Sequence, residues 1–248
     1  MRNIGLLTII GIQDNLRLKT PFILYCLITI MLLVVLAAFL GIFLISPELN
    51  SYKPDIAKLE LYLGLIMYSA SVLGLGVYLN SWGYASIIRE KSRGNIQSLL
   101  ATMVNIKDIW MGKSMAVFIP GLILGELLAL VTLIIVNHIY FVPEMGFLFN
   151  PWIAVSSFIA VPIIYFCLGL LVNLISLTGK PANAMLTAQV FLPLLLSGVI
   201  NLLLRTTILD INSWSFAAAN MGIAAVIAII VIFLQFRINK EKVVLSCK

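Results

Sequence analysis

Apolar residues in this chain gather into six long runs, at about 22–45, 59–82, 110–136, 152–178, 184–204 and 214–236, with short polar stretches between them. Each run is long enough for a helix to cross a hydrocarbon core roughly 30 Å thick. In lipid every backbone amide must find its partner inside its own segment, so spans of this kind are helices. The pattern therefore predicts an all-α membrane protein, a six-transmembrane-helix bundle over 21–248 preceded by a separate N-terminal segment at 1–20. Composition agrees: 62% of the 248 residues are hydrophobic and 10% charged, with a mean hydropathy of +1.11, which no water-soluble core of this size requires.

Charge then orients the bundle. Of the 16 lysines and arginines, only Lys53, Lys58 and Arg205 fall on one side of the predicted spans; the N-terminal segment, the second-to-third loop, Lys180 and the tail carry the rest. The positive-inside rule places both termini and the loop 83–113 in the cytoplasm, in a multi-pass protein of the cell membrane. A basic rim against anionic headgroups accounts for the net charge of +6 without nucleic acid. Cys26 and Cys167 lie inside spans and Cys247 in the cytoplasmic tail, so no disulfide is expected. Residues 1–12 lack a cleavage site, which speaks against a cleaved signal peptide. In the segment 1–20, Leu6, Ile9 and Ile10 alternate with Gln13 and Arg17 as in an interfacial helix lying in the headgroup plane, the alternative being a disordered tail; Pro21 opens the first span at a favoured position.

The cytoplasmic loop carries the sharpest local pattern. Ile96, Leu99, Leu100 and Met103 recur at helical spacing and predict a short helix over 95–103 with one apolar stripe. A helix of that length is not stable alone, so lipid, the bundle or a partner protein must cover the stripe. Gly94 breaks the chain ahead of it, and Asn105 with Asp108 forms a weakened capping box that starts the next helix.

Glu90, the run Arg93-Gly94-Asn95-Ile96-Gln97, then Leu99-Leu100-Ala101-Thr102, Ile109 and Gly112-Lys113 resemble the cytoplasmic signature of ABC transporter permeases of the type 2 exporter superfamily. A second segment, Leu192-Pro193-Leu194-Leu195-Leu196-Ser197-Gly198, is similar to the Pro and Ser-Gly segment of the same family. One position departs: Met103 stands where the family commonly has Pro. The resemblance implies a permease subunit that forms the translocation pathway of an ATP-driven exporter. A separate P-loop ATPase would dock on the cytoplasmic coupling helix through Glu90, Gly94, Ile96, Gln97, Leu99, Leu100 and Met103. It further implies a second permease copy, the same or related, and an outer gate at 199–213 with Pro193, Ser197, Gly198, Arg205 and Asp210. ATP and Mg would then belong to the partner, and the chain itself would hold no cofactor and no catalytic residue. In accord, no G-x-x-x-x-G-K-[ST] phosphate loop is present.

Glu126 falls near the middle of the third run, where an ionisable group needs an interior partner or a water-filled cavity. It is either a substrate-path or proton-linked carboxyl or a protonated group hydrogen-bonded to a neighbouring helix through one of Asn173, Gln189 or Asn220. Gly121 with Gly125, Ala218 with Gly222 and Ala224 with Ala228 have the spacing of close helix contacts, within the chain or at a dimer seam. One histidine, His138, no H-E-x-x-H and no G-x-S-x-G argue against an intramembrane hydrolase or a metal site. A secondary transporter or channel, and a heme-exporter-type permease, remain as alternatives; no residue identifies the cargo.

Overall fold

The computed structural model describes residues 2–17, 19–79, 90–91, 94–101, 104–178, 212–236 and 243. All regular structure among them is helical. Helix α1 is Arg2–Leu16, and α2 runs Lys19–Leu40, passes through a π-helical turn at Gly41–Ile45 and finishes as Ser46–Leu49. Then come α3, Ile56–Tyr78, the short α4, Asn95–Ala101, and α5, Ile106–Val136 with a π-turn at Asn137–Phe141. Helix α6 comprises Pro151–Val155, a π-turn at Ser156–Ala160 and Val161–Thr178; α7 is Trp214–Gln235.

Five of these, α2, α3, α5, α6 and α7, are long and apolar enough to cross a membrane. The predicted span at 184–204 lies outside the described residues. Exposed side chains such as Leu27, Met31, Val34, Phe39, Ile229 and Phe233 would be untenable in water and are ordinary against lipid. The protein is membrane-embedded.

Local chemistry sets the helix starts. Asp55 caps α3 by accepting from Ala57 N–H, Asn105 caps α5 by accepting from Lys107 N–H, and Asn150 caps α6 by accepting from Trp152 N–H, with Pro151 in the first turn. Packing then follows the small residues. Helices α3 and α5 form the most extensive contact, and a Cβ placed on Gly74 would sit 2.8 Å from the Gly125 Cα, so only glycine permits that approach. Tyr25 of α2 donates from its hydroxyl to Gly74 O at 2.9 Å and stands edge-on to the Tyr78 ring, 5.1 Å between centroids.

Helix α1 forms as expected, but its neighbours differ from those of a helix resting on headgroups alone. It lies against the first turns of α5. A Cβ on Gly112 would be 2.8 Å from Leu7 Cβ, and one on Gly11 2.6 Å from Ala116 Cβ. Asn15 Nδ2 reaches Ala116 O at 3.5 Å; that carbonyl has no helical donor because Pro120, four residues on, carries no N–H. Leu6, Ile9, Ile10 and Leu16 face outward.

Helices α6 and α7 run in the same direction. Their starts are joined by Asn150 Nδ2 donating to Asn212 O at 3.1 Å, and Asn212 Nδ2 donates to Ala57 O at the start of α3, 2.7 Å. Their ends both lie at the beginning of α5: Asn173 Nδ2 donates to Ser114 Oγ, and Lys107 Nζ sits 5.3 Å above the Phe236 ring.

Candidate functional site

Two regions hold the polar side chains that the apolar helices do not explain: the end of the bundle where α4 lies, and a set of oxygens buried between α3, α5 and α6.

At the first, Gly94 takes φ +76°, a conformation cheap only for glycine, and starts α4. Its N–H donates to Lys91 O and its carbonyl accepts from Ser98 N–H. Ile96 is 2% exposed and packs with Ile106, Trp110, Leu170, Leu177 and Val231. The apolar stripe is thus covered at Ile96 by the chain's own helices, and Ile96 has no surface to offer a partner in this arrangement. Leu99 is half-buried, while Asn95, Gln97, Ser98 and Ala101 are exposed. The Leu100 side chain and Met103 lie outside the described residues.

Two consecutive residues ahead of Gly94 fasten this end to different helices. Glu90 Oε1 is 2.7 Å from Lys113 Nζ on α5, with both side chains largely shielded from solvent. Lys91, 5% exposed, donates from Nζ to Ser176 O at 3.1 Å and Leu177 O at 3.2 Å. Those are among the last described carbonyls of α6, the end toward which the helix dipole is negative, so an ammonium is well placed there. Glu90 and Lys113, far apart in the signature, are therefore one ion pair. Lys91 stood out in the sequence only as one more basic loop residue, since its partners are backbone atoms 85 residues away.

At the second region, Ser71 Oγ of α3 lies 3.2 Å from Glu126 Oε1 of α5 and 2.8 Å from Ser157 O of α6. The partners expected for Glu126 are engaged elsewhere: Asn173 donates to Ser114 Oγ at 2.8 Å, and Asn220 Oδ1 accepts from the Tyr68 hydroxyl at 3.0 Å while its Nδ2 donates to Phe216 O. Gln189 lies outside the described residues, as do Pro193, Ser197, Gly198, Arg205 and Asp210. Among the described residues Glu126 Oε2 and Ser157 Oγ, both buried, have no hydrogen-bond partner.

The backbone explains why the Ser157 carbonyl is open to a side chain. In the π-turn Val161 N–H donates to Ser156 O, and the next residue, Pro162, has no N–H. A second close approach brings the serine to the carboxyl: Gly74, one turn after Ser71, meets Gly125, the neighbour of Glu126. Gly121 likewise lies against the Tyr78 ring, so the Gly121/Gly125 pair packs within the chain, whereas Ala218 and Gly222 face open space. Among the described residues no group of three or more His, Cys, Asp or Glu is placed to hold a metal ion.

No protein-family model, no curated protein and no solved structure matches the chain.

Proposed function

We propose that this chain is the membrane-spanning permease subunit of an ATP-driven exporter of the ABC type, working as a pair of permeases with two P-loop ATPases that dock on α4 from the cytoplasm. The observation that carries this reading is α4 itself: a two-turn helix between two spans, seated on the bundle through Ile96, braced beneath by Glu90–Lys113 and Lys91, and turned outward through Asn95, Gln97, Ser98 and Ala101. A helix held this firmly on one side and exposed on the other is suited to receive a push and pass it on. The docking surface then centres on Gln97, Ser98 and Ala101, with Leu99 at its edge and Ile96 as the anchor behind it.

The same reading takes the bundle to have six spans. The described part of α6 reaches Thr178 beside the start of α5 and α7 begins with Trp214 at the opposite end, which supports a sixth span between them, and the apolar run 184–204 is long enough to be that span. With α4 cytoplasmic, the basic end carries Glu90, Lys91, Lys107 and Lys113 on the side the positive-inside rule assigns.

One observation favours the alternative of a secondary transporter, the Glu126 carboxyl inside the spans. The two part in a single experiment. Protein purified from its native membranes should bring a P-loop ATPase with it, and Gln97→Arg with Ala101→Arg should lose that subunit and its ATP hydrolysis while keeping the parental melting temperature. Retention of the ATPase by the variant would remove α4 as the docking helix; absence of any ATPase with the parent would sink the exporter reading.

A further inference from the structure

We propose that Glu126, Ser71 and Ser157 form a binding site for a monovalent alkali cation between α3, α5 and α6. The inference does not rest on ATPase docking, since a cation site can stand in the bundle of an exporter as well as in a cation-coupled transporter.

The starting point is a shortage of positive charge. Ser71 has one hydroxyl proton and two acceptors within reach, Ser157 O at 2.8 Å and Glu126 Oε1 at 3.2 Å. Whichever it serves, the other oxygen goes without, and Glu126 Oε2 has no donor at all. None of the ion pairs among the described residues involves Glu126. Ser157 is fully buried and its hydroxyl, too, is unpartnered. Orphaned buried polar atoms are rare enough to call for an occupant such as an ion or a water molecule.

The donor set then narrows the occupant. The atoms brought together are oxygens, Ser71 Oγ with Glu126 Oε1 and the Ser157 carbonyl, which the π-turn and Pro162 have released from the helix ladder, and the unpartnered Glu126 Oε2 and Ser157 Oγ belong to the same residues. Oxygen-only surroundings suit hard cations and disfavour the softer metals that prefer imidazole or thiolate. One carboxylate neutralises one positive charge; a divalent ion would leave a net charge inside the hydrocarbon layer. A water would leave the carboxylate charged; a proton would neutralise it but could donate to only one acceptor, and the experiment below separates these occupants from a cation. The chain also builds the cluster from three helices close to the Gly74–Gly125 contact of α3 and α5, so the oxygens are held by packing rather than by a loop.

The test uses the full-length chain in nanodiscs, with dicyclohexylcarbodiimide modification of Glu126 followed by peptide mass spectrometry at fixed pH and ionic strength. Sodium should slow the modification relative to choline. Ser157→Ala should leave Glu126 reactive yet raise the Na+ concentration for half-protection about tenfold, as loss of one supporting ligand does, and Ser71→Thr, which keeps the hydroxyl, should protect as the parent does. Sodium should also raise the melting temperature of the parent and not of Glu126→Gln, a readout that decides the matter if the carboxyl proves unreactive. Equal modification in Na+ and choline, or, with an unreactive carboxyl, no Na+-dependent shift in melting, would assign the orphaned atoms to a proton or a water and overturn the proposal. ATPase co-purification is untouched by either result, so this failure and failure of the exporter reading are told apart.

Discussion

Helices α2 and α6 are both hydrophobic enough to cross a bilayer, yet they stand in opposite surroundings. In its most apolar window α2 is the more hydropathic, 3.1 against 2.5, and only 22% of that window is buried, compared with 61% in α6. Hydropathy thus says that a segment enters lipid and says nothing of which segment is central. What distinguishes α6 is its small and polar content: Ser156, Ser157, Gly169, Asn173 and Ser176 are all buried, and each hydroxyl or amide allows a close or bonded contact that a leucine could not make. Lipid tails solvate leucine as well as another helix does, so packing and hydrogen bonds decide who neighbours whom.

The contrast breaks most visibly at Tyr165, which is 1% exposed on α6. Tyr165→Ala should cost about 3 kcal/mol through the cavity it leaves, seen as a large fall in melting temperature in detergent. Next in size, Gly74→Leu forces side-chain atoms into the Gly125 backbone and should cost about 1–3 kcal/mol; the same assay should show Gly222→Leu, where space is open, near the parent. Lys91→Met should also cost about 1–3 kcal/mol, because Ser176 O and Leu177 O lose a buried donor, and hydrogen exchange should rise first in the last turn of α6. Asn15→Ala removes a long 3.5 Å hydrogen bond and should cost less than about 1 kcal/mol, detectable as faster proteolysis within α1. Smallest is Met31→Ala on the open face of α2, 69% exposed, expected within about 0.5 kcal/mol of the parent. A cost there equal to that of Tyr165→Ala would show that α2 is covered by another protein surface in the membrane.

Much of the frame was legible from residues alone because bilayer thickness fixes element length. The five described spans coincide with apolar runs, differing by several residues at their ends, and Gly94 and Asn105 mark the two ends of the elbow around α4 through rules that need no neighbour. What the sequence could not show is who meets whom. Ser71 is one hydroxyl in an apolar run, and its place opposite Glu126 depends on the Gly74–Gly125 contact between two helices. The periodicity at Ile96 defined a stripe without saying that Trp110 and Leu170 cover it. At helix α1 the apolar positions did not reveal the protein-facing side: Thr8, Gly11 and Asn15 face protein while Leu6, Ile9 and Ile10 face out, the reverse of the inside-apolar rule that holds in water.

Glu90 and Lys91 are neighbours in the chain, but one grips α5 and the other the last turn of α6. Any attempt to slide one of those helices past the other must therefore first stretch two consecutive residues in opposite directions. At that end α5 and α6 behave as one strut. Helices α2 and α7, each with only 22% of its most apolar window buried, carry no comparable tie to that strut among the described residues.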